Sequence, residues 1–141
     1  MRDRFSATEA SSVSGVPYKT VDYWAKTGFI VPSIAAARGS GTERRYSFDD
    51  LVALRVARQL RKEGASMQAL RKVVTALRNY KTDFASSRLI VVGSDIALVE
   101  DHKRVTMLLK SADQCGFAFI CDGPETIQFV SDKIEKLAVA A

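Results

Sequence analysis

The chain has 141 residues, 47% hydrophobic and 26% charged, with a net charge of +5. That length allows one domain or two small ones, and the apolar fraction supports a packed core and argues against disorder. No apolar run approaches the roughly 18 residues of a membrane span, and the opening MRDRFSATEA lacks the apolar middle of a signal peptide, so the cytoplasm is the expected compartment.

The charge is unevenly placed. Residues 1–82 carry 15 Lys and Arg against 7 Asp and Glu, a balance of +8, whereas residues 83–141 carry 6 against 9, a balance of −3. A basic front half and a mildly acidic back half point to a polyanion as the partner of the front. Cys115, Cys121 and the single His102 are too few for a four-ligand structural zinc site. The cysteines are expected to pack as small apolar residues, with no metal and no cofactor. No nucleophile–base pair or phosphate loop stands out, so the expectation is not an enzyme.

In chain order, Ser6-Ala7-Thr8-Glu9 has the form of a capping box, with Ala7, Ala10 and Val13 following at helical spacing. Ser14-Gly15 ends this short helix. Pro17 is expected at the first position of the next, whose inward stripe is Val21, Trp24 and Ala25. Two short helices across so tight a turn form a helix-turn-helix. Gly28 ends the second helix, and Phe29-Ile30-Val31 reads as a buried strand or elbow. Residues 35–46, AAARGSGTERRY, read as a basic hairpin with a glycine tip.

Ser47-Phe48-Asp49-Asp50 starts another helix, with Leu51, Leu54, Val56 and Leu60 toward the core and Arg55, Arg58, Arg61 and Lys62 on a basic side. Gly64 ends it. Ser66 caps a fourth helix carrying Leu70, Val73, Val74 and Leu77. After a polar connector, residues 88–92 and 95–99 form a hairpin around Gly93-Ser94. A helix from about Asp101, a strand over 117–121 and a helix opening at Asp122-Gly123-Pro124-Glu125 complete a ββαβα unit. The fold class expected is α+β: a DNA-binding domain over 1–80, a connector over 81–87, and a small effector, dimerisation or partner-binding module over 88–141.

A helix beside a positive hairpin suits a DNA duplex, because the helix can enter a groove while the hairpin rides the phosphates. The candidate contacts on the helix are Tyr18, Lys19, Thr20, Asp22, Tyr23 and Lys26. Lys19 can donate to guanine, Thr20 can touch a thymine methyl or a phosphate, and Asp22 can accept from a cytosine amine. Asp22 can equally form an ion pair with a hairpin arginine or be a solvated helix position. On the hairpin, Arg38, Arg44 and Arg45 suit phosphate or the minor groove, and Tyr46 adds a hydroxyl beside them. Trp24 is expected in the core.

Residues Phe5 to Arg78, through TEASSVSGV, PYKTVDYWAKTGFIVPS and RRYSFDDLVALRVARQLRKEGASMQALRKV, resemble the DNA-binding head of the MerR family of bacterial transcription regulators. DYWAKTG, PSIAAARGSGTERRYSF and the VVGSDIALVEDHKRVTMLL portion are similar to an actinobacterial-type subgroup. The resemblance implies a winged helix-turn-helix followed by paired helices, and a homodimer. It places Lys19, Thr20 and Tyr23 at contact positions of the recognition helix, and Arg44 and Tyr46 at phosphate-contacting positions of the wing. Asp22 departs from the Arg common in metal- and drug-sensing members. No long pairing helix is evident after Arg78, and the cysteines of the metal sensors have no counterparts.

The function expected is a sequence-specific DNA-binding regulator acting as a homodimer on a pseudo-palindromic operator. Two alternatives share the same head: an antitoxin whose residues 88–141 capture a toxin through a sheet edge, and an architectural or recombination directionality factor.

Overall fold

A computed structural model of the chain describes residues 3–35, 44–79, 87–92, 95–99 and 118–140. Arg38 and the wing tip, the 93–94 turn, His102, Cys115, most of the connector and the helix expected from Asp101 lie outside the described residues. The chain forms two compact units. The first joins Met1–Arg58 to Gln128–Ala141, and the second is Gln59–Ile127. Helix α3 (Phe48–Lys62) and the final helix α5 (Gly123–Ala140) each contribute to both.

In the first unit, helix α1 (Ala7–Ser14) begins as its capping motif dictates. The Glu9 amide donates to Ser6 Oγ at 3.1 Å, and the Ser6 amide donates to Glu9 Oε1 at 3.0 Å. Gly15 ends it in the left-handed region, at φ 81°, where an L side chain is disfavoured. Helix α2 (Tyr18–Lys26) starts one residue later than expected. Pro17 is its N-cap, with an extended ψ of 143°, and its carbonyl accepts from the Thr20 and Val21 amides.

Ala10, Val13, Val21 and Trp24 face inward as their spacing requires. Phe29-Ile30-Val31 is the elbow alternative and not a strand: Phe29 meets Trp24 edge-on at 5.0 Å, Ile30 is buried and Val31 is exposed.

The stem of the hairpin is closed by an antiparallel bridge between Ala35 and Arg45. Tyr46, one residue on, pairs with Phe5 through both backbone hydrogen bonds, at 2.8 and 2.9 Å. The N-terminal strip thus lies along the stem, an arrangement with no local signature. Helix α3 follows, and its residues Leu51, Leu54 and Val56 are all fully buried.

In the second unit, Ser66 caps helix α4 (Met67–Asn79), with its Oγ accepting from the Ala69 amide at 3.1 Å. Leu70, Val73, Val74 and Leu77 are buried along one face. Strands β1 (Arg88–Val92), β2 (Asp95–Val99) and β3 (Ala118–Asp122) form an antiparallel sheet in the order β2-β1-β3. The register pairs Val92 with Asp95 and Arg88 with Asp122. The second pairing sets Arg88 Nε 3.1 Å from the Asp122 carboxylate. Asp122 also caps α5, accepting from the Glu125 amide at 2.9 Å. Cys121 is buried, its sulfur 3.3 Å from the Thr126 hydroxyl. The architecture is α+β, a helical head followed by a small sheet and a closing helix.

Among the described residues, no helix is long and apolar enough to cross a membrane.

Candidate nucleic-acid interface

Helix α2 presents an uncovered polar face because its apolar residues are spent on the other side. Val21 and Trp24 are buried, while Tyr18, Lys19, Tyr23 and Lys26 are exposed and Thr20 is half-buried. Lys19, Tyr23 and Lys26 recur at i, i+4 and i+7 and share one stripe. Tyr18 and Tyr23 are each more than half exposed. Large aromatic side chains left in water beside lysines are the kind of surface that stacks or hydrogen-bonds to a ligand.

The wing stem is held beside this face at two places. At the root, the sealed carboxylate of Asp50 gathers three groups: its Oδ2 accepts from the Ser33 amide at 2.8 Å, the Ser33 hydroxyl at 2.7 Å and the Ser47 amide at 2.8 Å. Ser47 Oγ accepts in return from the Asp50 amide at 3.1 Å, which completes a capping box for α3. Asp50 therefore joins the residue after Pro32 to the residue after Tyr46. The sequence shows Asp50 only as an acid in the first turn of a helix. Its longer-range role carries no local signal, since Ser33 lies 17 residues away.

The second tie crosses from the stem to helix α2. Arg44 Nη1 donates to Asp22 Oδ1 at 2.5 Å, and Lys26 Nζ lies 2.9 Å from Asp22 Oδ2. Hydrogen bonds from Lys26 and Arg44 hold the Asp22 carboxyl below the usual carboxylate range, so the group is ionised at neutral pH. Asp22 thus forms an ion pair with a hairpin arginine. Arg44 is drawn in with it: its side chain is 15% exposed, against 29% for Asp22 and 67% for Lys26. Arg45 is half-buried, with its guanidinium 3.5 Å from the Arg44 carbonyl.

Tyr46 requires a correction. Expected to offer its hydroxyl to a phosphate, it is 0% exposed. Its backbone pairs with Phe5, which draws the ring into the core, and among the described residues its hydroxyl has no hydrogen-bond partner. Burial raises its pKa to about 12.

The basic side of α3 is also partly engaged. Arg55 lies 3.8 Å over the Phe129 ring of α5 and donates to the Ser14 carbonyl at 3.3 Å. Arg58 lines the space beside Gly15. Among the described residues, no group of three or more His, Cys, Asp or Glu is arranged to hold a metal ion.

This geometry belongs to residues that also match known proteins. Residues 5–77 match the family described as MerR HTH family regulatory protein. Two uncharacterized HTH-type transcriptional regulators, one from Mycobacterium tuberculosis and one from Mycobacterium bovis, are each 34% identical to the chain over 107 residues. The match covers 75% of this chain and 48% of each relative, so the chain spans about half the length of the curated relatives it matches. A helix-turn-helix with an uncovered basic and aromatic face, beside a wing clasped at its root, sits within the matched span: the chain belongs to the MerR family of helix-turn-helix transcriptional regulators.

Proposed function

We propose that the chain binds DNA as a homodimer, with α2 of each head in the major groove of one half of a pseudo-palindromic operator and the wings on the flanking backbone. The observation that carries this is the exposed stripe Lys19, Tyr23 and Lys26, with Tyr18 beside it, on a helix whose opposite face is sealed by Val21 and Trp24. In this reading Lys19 and Thr20 approach base edges, and Tyr18 and Tyr23 approach the backbone. Arg38 and Arg45 add wing contacts and the salt-dependent part of the affinity. Residues 88–141 serve dimerisation, an effector or another partner.

In vitro selection from a random duplex library tests the proposal. The full chain is expected to enrich two half-sites related by a dyad, spaced by a whole number of helical turns. The Lys19→Ala variant should lose preference at one base-pair position in each half-site. A single asymmetric site, or the same consensus from Lys19→Ala, would refute the corresponding part.

A further inference from the structure

An acid in the middle of a DNA-facing helix is out of place electrostatically. It repels the phosphates that the lysines around it attract. Asp22 occupies such a position, and both of its oxygens are engaged by cations: Oδ1 by Arg44 of the wing stem and Oδ2 by Lys26 one turn along the helix. The three groups together present a charge of +1 where the two cations alone would present +2. Arg44 spans 22 residues of sequence to make this contact, so the pair also fixes the stem at a set distance from the recognition helix. The root clasp at Asp50 is sealed in the core and would hold a hairpin facing any ligand. The Asp22 clasp lies on the presented surface.

We propose that Asp22 is a positioning residue that sets sequence specificity: through Arg44 it holds the wing stem against the recognition helix, and it withholds Arg44 and Lys26 from the phosphates of arbitrary sequence. The inference rests on the DNA-binding reading above. On random duplex the carboxylate lowers affinity, because two cations near the backbone are already paired and release fewer counterions. On a cognate site the fixed spacing of stem and helix brings the remaining donors to the groove and backbone together, without a further ordering cost.

The test uses the purified full chain and a labelled random-sequence duplex, titrated across a range of salt concentrations, with Asp22→Asn and Asp22→Glu. Each freed cation that reaches a phosphate steepens the salt slope by about 0.9, which corresponds to roughly 5-fold tighter binding per head at about 0.15 M salt. Asp22→Asn should therefore bind random duplex more tightly and with a steeper slope. Asp22→Glu, which keeps the charge, should return both toward wild type. In selection from a random library, Asp22→Asn should enrich the wild-type consensus less strongly.

A merely structural role for Asp22 would weaken binding without steepening the slope, and that result overturns the proposal. So does an unchanged slope and affinity, or a consensus shifted at one base pair with undiminished enrichment, which would make Asp22 a base reader. Should Asp22→Asn fail to fold, Asp22→Ser removes the same charge and is read in the same way. If the wild-type chain binds no duplex at any salt concentration, the DNA-binding reading falls and this inference with it. If the wild type binds and the variants match it, this inference alone falls.

Discussion

Gly15→Ala and Gly28→Ala form a matched pair that measures how firmly the arginines of α3 rest on the helix-turn-helix. Both glycines are left-handed, at φ 81° and 80°. An alanine in that region costs about 1–2 kcal/mol, offset by about 0.4–1 kcal/mol because the unfolded chain becomes less flexible. At Gly28 nothing lies within 4 Å of the added Cβ, so the net loss is about 1 kcal/mol. At Gly15 the same atom would meet Arg58 Nε at 3.1 Å, Arg58 Cδ at 3.2 Å and Arg55 Nη1 at 3.5 Å.

The Arg55 contact is an ordinary one, so its 3.3 Å bond to the Ser14 carbonyl survives, but the two Arg58 contacts force that side chain to shift, an overpacking cost of about 1 kcal/mol. Gly15→Ala should therefore lose about 2 kcal/mol. For a chain of 141 residues the unfolding entropy is roughly 0.3 kcal/mol per kelvin. The two variants should thus melt about 7 °C and about 3 °C below wild type in calorimetry. Equal losses would show that the arginines contribute nothing at the turn. No loss at Gly28 would refute the left-handed cost itself.

Tyr46→Phe removes a buried hydroxyl that has no partner among the described residues, so urea unfolding at neutral pH should show it neutral or stabilised by up to about 2 kcal/mol; clear destabilisation would reveal a bond to that hydroxyl. The same variant has a pH signature. A phenol raised to about 12 by burial in the folded chain, against about 10 unfolded, carries no ionisation penalty below pH 10 and destabilises the fold as the pH climbs from 10 toward 12. At about 1.4 kcal/mol per pH unit, wild type should lose roughly 3 kcal/mol more than Tyr46→Phe across that window, and parallel alkaline unfolding curves would contradict it. Phe129→Leu keeps apolar bulk but removes the ring that Arg55 overlies at 3.8 Å and Lys133 approaches at 5.5 Å. Urea unfolding should report a loss of about 1 kcal/mol, and an unchanged midpoint would mean the ring is only a spacer.

What was legible in the residues was what is decided within a turn or two of chain. The Ser6–Glu9 box, the glycine after α1, the inward stripe Val21–Trp24 and the apolar face of α4 are local patterns, and each appears where its spacing placed it. The hairpin of β1 and β2 was readable from two β-branched runs around a short turn. The features that shape the candidate interface were less accessible because they join distant residues. Tyr46 has the composition of a wing contact, yet its pairing with Phe5 turns it inward. Asp50 looks like a helix-start acid and is the clasp of the wing root. Asp22 allowed several readings, and its ion pair depends on the position of Arg44 in space.

The first unit is assembled from two stretches that lie far apart in the chain, with all of residues 59–127 between them. A ribosome delivers the recognition helix and the wing well before Phe129 and the buried Val130 exist. Until those arrive, Arg55 lacks the ring it rests on, and the surface that α5 will cover stays open to water and to other nascent chains. The first unit thus closes only after residue 128 has been made, and a fragment stopped at residue 80 would carry α2 and the wing stem without the ring on which Arg55 rests.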